Sequence, residues 1–221
     1  GVFDLAPGQW TDDTSMALCI AASLTETGAY DPRDQLARFV RWYRDGYLSS
    51  TGRCFDIGNQ TRAALEEFEA TGEPYREAVG GMSAGNGSLM RLAPVAMAFC
   101  DDPDAAGRFS ADSSRTTHPA VECVEACGAY GRLIAAAIEG ASRTELYVLA
   151  ADLAEQVTNP DLATILRGSY RVKERDEISS SGYVLHSLEA AMWALARTDD
   201  FLEGALLAVN LGDDADTVGA I

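Results

Sequence analysis

Two short acidic clusters, one near each end, constrain how this chain can fold more than any other feature. Trp10-Thr11-Asp12-Asp13-Thr14 leads into the apolar run Ser15 to Leu24, and Gly212-Asp213-Asp214-Ala215-Asp216-Thr217 leads into Val218-Gly219-Ala220-Ile221. Taken alone, each reads as a helix cap, because Thr and Asp are good N-caps and acidic groups in a first turn gain ~0.3–1 kcal/mol from the helix dipole. Taken together they offer up to five carboxylates with threonine hydroxyls beside them, hard oxygen ligands of the kind magnesium and manganese take and zinc sites do not favour. A fold that joins the two ends requires a cation. Carboxylates ~4 Å apart repel by up to ~4 kcal/mol at an effective dielectric of about 20, and a divalent ion removes that cost.

The 221 residues suffice for one large domain with its own core, and no break in composition argues for two. A formal charge of -17 excludes sequence-independent attraction to nucleic acid or to an anionic membrane over most of the surface. No apolar run reaches the ~18–20 residues of a membrane span and no signal-peptide pattern is present, so the expected location is cytoplasmic. Cys19, Cys54, Cys100, Cys123 and Cys127 are odd in number and scattered through apolar surroundings, the usage of reduced, buried thiols. Cys123 and Cys127 stand one helical turn apart, but no nearby CxxC or HxxxH completes a zinc set.

Helical spacing recurs along the chain. It predicts helices from Asp12 to about Leu24, from Asp31-Pro32 to Gly46, from about Gln60 to Ala70, from near Leu89 to about Phe99, and from Asp102-Pro103 onward. Further helices are predicted from His118-Pro119 to about Glu139, from the capping box Ser142-Arg143-Thr144-Glu145 through Val157, from Tyr183 to Ala196, and from Phe201 to Leu211. Asn159-Pro160-Asp161 breaks the pattern, Lys173 to Glu177 is a mixed-charge segment, and Arg33, Arg38, Arg41 and Arg44 read as a solvated face of the second helix. No strand and no repeat is evident, so the expected fold is all-α, a single-domain assembly of many helices joined by short loops.

Two loops stand out. Ser49 to Asn59 is rich in Gly and Ser yet carries Cys54, Phe55, Asp56 and Ile57, and loops of this kind often bear function. Gly80 to Ser88 is the most glycine-dense stretch and enters the Leu89 helix with Arg91 in its first turn. One reading is a flexible linker. The other, which its shortness and its Asn86 between two glycines favour, is a backbone N–H cradle for phosphate, without the Gly-Lys-Ser/Thr ending of a Walker loop.

Six stretches then fall in a characteristic order: Trp10 to Thr14, Cys54-Phe55-Asp56-Ile57-Gly58, Gly85-Asn86-Gly87-Ser88-Leu89-Met90-Arg91, Thr117-His118, Ser181 to Ala190, and Gly212 to Thr217. In this order, over nearly the whole chain, they resemble the ADP-ribosylglycohydrolase family, and within it the bacterial enzymes similar to dinitrogenase reductase-activating glycohydrolase. The resemblance implies a compact all-α fold with two magnesium or manganese ions between the first and last motifs. It implies metal ligands Thr11, Asp12 and Asp13 from one side and Asp214, Asp216 and Thr217 from the other; Asp213 stands where many relatives carry glycine and is not assigned. It places Gly85, Asn86, Gly87 and Ser88 at the diphosphate of ADP-ribose, His118 at the phosphate or ribose region, and Gly182 and Tyr183 at the nucleoside pocket. Without it, His118 reads as structural, Tyr183 as a core aromatic, and Asp56 as the cap of the following helix; His186, one turn into a helix, reads as structural in either case. With it, Asp56 becomes the acid or base beside the metals.

The function so implied is hydrolysis of the glycosidic bond between ADP-ribose and a modified acceptor, foremost ADP-ribosylarginine on protein. The alternatives are a non-catalytic ADP-ribose-binding or structural relative and a two-metal nucleotide phosphohydrolase. Relatives carry a Gly- and Asp-containing segment before the first acidic motif, with an acidic residue near the metals, and a small-residue helix after the last. The sequence begins without Met and stops at Ile221, so it reads as cut at both ends; only a protein really this short is expected to have a more open metal site.

Overall fold

The computed structural model describes residues 3–77 and 84–221. The all-α expectation holds. Eleven α-helices lie among the described residues, with two short 3-10 turns at Ser169–Val172 and Arg175–Glu177, and the extended pairing is confined to one isolated antiparallel bridge between Gly85 and Tyr183. The helices are α1 (Asp12–Thr27), α2 (Pro32–Asp45), α3 (Asn59–Thr71), α4 (Ala93–Ala98), α5 (Pro103–Arg115), α6 (Val121–Ile138), α7 (Arg143–Ala154), α8 (Pro160–Leu166), α9 (Val184–Arg197), α10 (Phe201–Val209) and α11 (Ala215–Ala220). None of them is long and apolar enough to cross a membrane.

Local chemistry accounts for several boundaries. Asp31 accepts hydrogen bonds from the Arg33 and Asp34 amides with Pro32 in the first turn, and Gly46 ends α2 in the left-handed conformation at φ 70°. Ser142 and Glu145 form the expected capping box on α7. Asn159 does more than break the chain. Its side chain caps α8, a short helix that the sequence pattern did not announce.

The centre of the fold is α6, which packs against α4, α5, α7 and α9. Its approach to α5 depends on Gly131, where an added Cβ would lie 2.2 Å from Ser110 Oγ. The apolar core runs from Met16, Ile20, Phe39 and Trp42 through Leu89, Leu92 and Cys127 to Leu162, Leu185 and Leu188. At ~25 cal/mol per Å² of apolar surface removed from water, such a core is the main stabilising term. α11 packs on α1 and α9, and this brings the two ends of the chain together.

Two sequence expectations fail in this frame. Arg38 is not on a solvated face: it is 6% exposed, its Nε donates to Asp34 Oδ2 at 2.6 Å and its Nη2 to Glu26 Oε2 at 2.8 Å, whereas Arg33, Arg41 and Arg44 are exposed. The helix expected from Leu89 begins only at Ala93, because Gly87 to Arg91 form turns first.

Candidate active site

The site is assembled at the heads of α1 and α11. Neither acidic cluster caps its helix: Thr11 and Asp214 stand at the two N-cap positions without a side-chain capping hydrogen bond. Thr11 Oγ1 instead donates to Asp13 Oδ2 at 2.9 Å, and Asp13 Oδ1 is buried without a hydrogen-bond partner among the described residues. Asp12 and Asp13 are 8% and 3% exposed.

Asp12, Asp56 and Asp216 each bring a carboxylate oxygen to within 4.8 Å of the other two. Asp56 is therefore not a helix cap. Gly58 occupies the N-cap of α3, and Asp56 sits in the left-handed region at φ 59°, a conformation that Asp tolerates better than most residues. The charges of Asp13 and Asp214 act on this group from beside it, and Asp213 is exposed with φ 47°.

The electrostatics follow from crowding of like charges under partial burial. Desolvation, then the charges of Asp13 and Asp56, raise the Asp12 carboxyl to about 9. Desolvation and the Asp216 charge raise Asp13 to about 6 and Asp56 also to about 6. A buried carboxylate oxygen with no donor beside a cluster of mutually repelling carboxylates and two hydroxyls, Thr11 and Thr217, is a donor set that fits a hard divalent cation. This is a possible acidic metal site.

Beside the acidic group lies a cavity of about 360 Å³ lined by Asp12, Asp56, Gly58, Asn59, Gln60, Thr61, Gly85, Asn86, Gly87, Met90, His118, Gly182, Asp214 and Thr217. A larger groove, about 570 Å³, lies between α9, α10 and α11 among residues such as Met192, Phe201 and Val218; volume favours it, but the convergent polar groups are in the smaller cavity.

The walls of that cavity are tied to one another by backbone. The Asn86 amide donates to Gly182 O at 3.1 Å and the Val184 amide to Ala84 O at 2.9 Å, fixing the glycine loop on the Ser180-Ser181-Gly182 turn. That turn in turn receives the Asp214 amide at Ser180 O, 3.1 Å. The Asn86 side chain completes the link, since its Nδ2 donates to Asp214 Oδ2 at 2.6 Å and to Ser187 Oγ at 2.8 Å. The amides of Gly87 and Ser88 have no acceptor among the described residues, as a loop that holds an anion requires. The first part of the glycine-dense stretch, Gly80 to Ser83, lies outside the described residues.

His118 is not the first residue of a helix but precedes α6 by three positions, with its ring in the cavity wall. It is 3% exposed, and burial together with the Arg91 and Arg76 charges lowers it to about 3. An added Cβ on Gly87 would lie 2.8 Å from His118 Cε1, so glycine is required there for the ring to be seated. Arg91 does not reach the cavity as a phosphate ligand. It is fully buried beneath it, with Nη2 donating to Thr117 Oγ1 at 2.8 Å. Tyr183 is half-buried and packs edge-on to His186, whose Nδ1 is 2.8 Å from Ser181 Oγ.

Gln60 and the Arg91–Thr117 contact escaped sequence reading. Both carboxamide atoms of Gln60 are buried beside the cavity without a partner among the described residues, yet a Gln opening a helix carries no distinguishing signal.

The ADP-ribosylglycohydrolase family model matches residues 1–221. The chain is 43% identical over 222 residues to ADP-ribosylarginine hydrolase Tri1 of Serratia proteamaculans, covering 100% of this chain and 59% of that protein. It is 29% identical over 224 residues to the ADP-ribosyl-[dinitrogen reductase] glycohydrolase of Rhodospirillum rubrum, covering 100% of this chain and 69% of that one. A solved structure described as an ADP-ribosylglycohydrolase-related protein complex superposes with a TM-score of 0.84 at 42% identity, over 100% of this chain and 71% of that chain. The chain thus spans less than two thirds of the length of the Serratia relative.

Proposed function

The chain belongs to the ADP-ribosylglycohydrolase family, and from that premise we propose that it is a metal-dependent hydrolase that removes ADP-ribose from a modified acceptor, foremost arginine on protein. The observation that carries the proposal is the convergence of Asp12, Asp56 and Asp216 beside a cavity bordered by the glycine loop and His118. The arginine acceptor is supported by the similarity to the Serratia protein, an ADP-ribosylarginine hydrolase.

Two magnesium or manganese ions are the cofactors proposed, with Thr11, Asp12, Asp13, Asp214, Asp216 and Thr217 as ligands. Bound there, such ions would lower the pKa of a coordinated water and orient the ribose hydroxyls. Asp214 is steadied for that role by the Asn86 side chain. Gly85, Asn86 and Gly87, which line the cavity, suit the diphosphate, with Ser88 buried behind them, and Gly182 and Tyr183 would border the nucleoside.

Cleavage of a glycosidic bond passes through an oxocarbenium-like state and needs an activated water and a protonated leaving group. Asp56 supplies the proton-transferring carboxyl. Partial burial and then the charges of Asp216, Asp13 and Asp214 raise it to about 6 in the metal-free protein, and cations bound at those carboxylates would lower it again.

The test is product analysis with ADP-ribosylarginine in the presence of magnesium or manganese. Free ADP-ribose supports the proposal; AMP would indicate a phosphohydrolase, and binding without product a non-catalytic relative.

A further inference from the structure

His118 rests on a polar chain that begins at a buried cation. Arg91 is 0% exposed and no carboxylate pairs with it among the described residues. Its two Nη2 hydrogens are shared among Ser113 O at 3.3 Å, Thr116 Oγ1 at 3.2 Å and Thr117 Oγ1, the nearest at 2.8 Å, and its guanidinium lies over the Phe39 ring. The Thr116 hydroxyl is committed as donor to Ser113 O at 2.7 Å. Thr117 Oγ1 lies 2.7 Å from His118 Nδ1.

These contacts fix the direction of each proton. A guanidinium only donates, so the Thr117 oxygen accepts from Arg91 and keeps its own proton to give. Among the described residues the acceptor within reach is His118 Nδ1. With Nδ1 accepting, the single proton of a neutral imidazole sits on Nε2. The opposite tautomer would leave the Thr117 proton stranded at a residue that is 0% exposed. The Cε1–Nε2 edge of the ring faces Gly85 and Gly87. The buried Gln60 carboxamide, without a partner among the described residues, stands by the same point, since an added Cβ on Gly85 would lie 3.6 Å from both Gln60 Oε1 and His118 Nε2.

A second chain holds the His118 main chain. Its amide donates to Ser114 O at 2.7 Å, while Ser114 Oγ donates to His118 O at 2.9 Å and is joined at 2.8 Å to Ser88 Oγ, which accepts from Cys127 Sγ. The ring and the main chain of His118 are therefore held by separate chains of contacts.

We propose that Arg91 and Thr117 are positioning residues that hold His118 as a neutral imidazole with its proton on Nε2, so that this wall of the cavity receives a ligand oxygen through a donated hydrogen bond and not through a cationic ring. The burial and the two arginine charges that lower His118 act in the same direction. That the ligand is ADP-ribose rests on the function proposed above; the proton's position is a property of the free protein.

The protein has two histidines, so 15N spectra of the imidazole nitrogens at neutral pH, assigned with a His186→Gln variant, read His118 directly. Without ligand, His118 should show a protonated Nε2 and a hydrogen-bonded, unprotonated Nδ1. Thr117→Val should replace this pattern by an average of tautomers and weaken ADP-ribose binding by roughly five- to tenfold, the worth of one hydrogen bond, and Thr117→Ser should restore both. A protonated Nδ1 or a doubly protonated ring in the unaltered protein would overturn the proposal, as would an unchanged ring pattern in Thr117→Val. Should Thr117→Val not fold, the unaltered protein and Thr117→Ser still decide it. The predicted ring pattern in a protein that binds no ADP-ribose would uphold the positioning and remove the functional reading.

Discussion

The carboxylates of Asp12, on the first helix, and Asp216, on the last, approach with oxygens within 4.8 Å of each other and of Asp56. Bringing these like charges together is unfavourable in the metal-free fold, and the site's behaviour toward pH, metal and substitution follows from that.

The first expectation concerns pH. Asp12 is raised from 3.8 to about 9, so the folded chain retains a proton that the unfolded chain has released. The associated stability is fully present below about pH 4 and is lost as pH rises toward 9. His118 acts in the opposite window, because its lowered value penalises the fold only below its ordinary 6.5. Between pH 7 and 8.5 the Tm of chelator-treated protein should therefore fall by a few degrees, each pH unit costing up to ~1.4 kcal/mol per group. Added manganese should flatten this slope. A flat profile without metal would show that the Asp12 environment is not as described.

The second separates chemistry from metal binding. Asp56→Asn keeps the shape of the side chain but cannot transfer a proton, so turnover should fall by ~10²- to 10⁴-fold, and saturating manganese should not restore it. Asp216→Asn should lose metal affinity first and recover much of its turnover as manganese is raised. Recovery of Asp56→Asn at high manganese would make Asp56 a ligand in place of an acid–base group.

Gly87→Ala tests the seat of His118. Its Cβ would fall 2.8 Å from His118 Cε1 and 3.0 Å from Nε2, so the ring must shift, at a cost of ~1–3 kcal/mol in stability. ADP-ribose affinity should drop at least tenfold with metal affinity nearly unchanged, as read by calorimetry. Equal loss of both would point to general damage.

Asn86→Ala removes the donor to Asp214 Oδ2. Because such supporting hydrogen bonds are worth about 10- to 100-fold in metal affinity, the manganese concentration for half-maximal activity should rise by a factor in that range. An unchanged requirement would confine Asn86 to the backbone of the loop.

The sequence made the helices legible where caps are local, as at Asp31-Pro32 and Ser142 to Glu145. The ends of the chain could be paired in advance because carboxylates and hydroxyls at two helix heads share one chemistry. Arg38 and Arg91 were not legible. Periodicity places Arg38 on a helix, but its burial depends on Glu26, which arrives from α1. Arg91 follows a glycine loop, which suggested an anion; its partners Ser113, Thr116 and Thr117 lie at the end of α5 and just beyond it, a neighbour that only packing supplies. That Asp56 stands beside Asp12 and Asp216 was expected only through the family resemblance, because its left-handed backbone is one residue's conformation in an irregular loop and carries no periodic signal.

The most direct test of the account is calorimetric titration of the chelator-treated protein with manganese, compared with the Asp12→Asn and Asp216→Asn variants. The account predicts saturable binding by the unaltered protein at neutral pH, with release of protons as the carboxylates are neutralised by the ion, and at least tenfold weaker binding by each variant. No binding by the unaltered protein, or equal binding by all three, would contradict it.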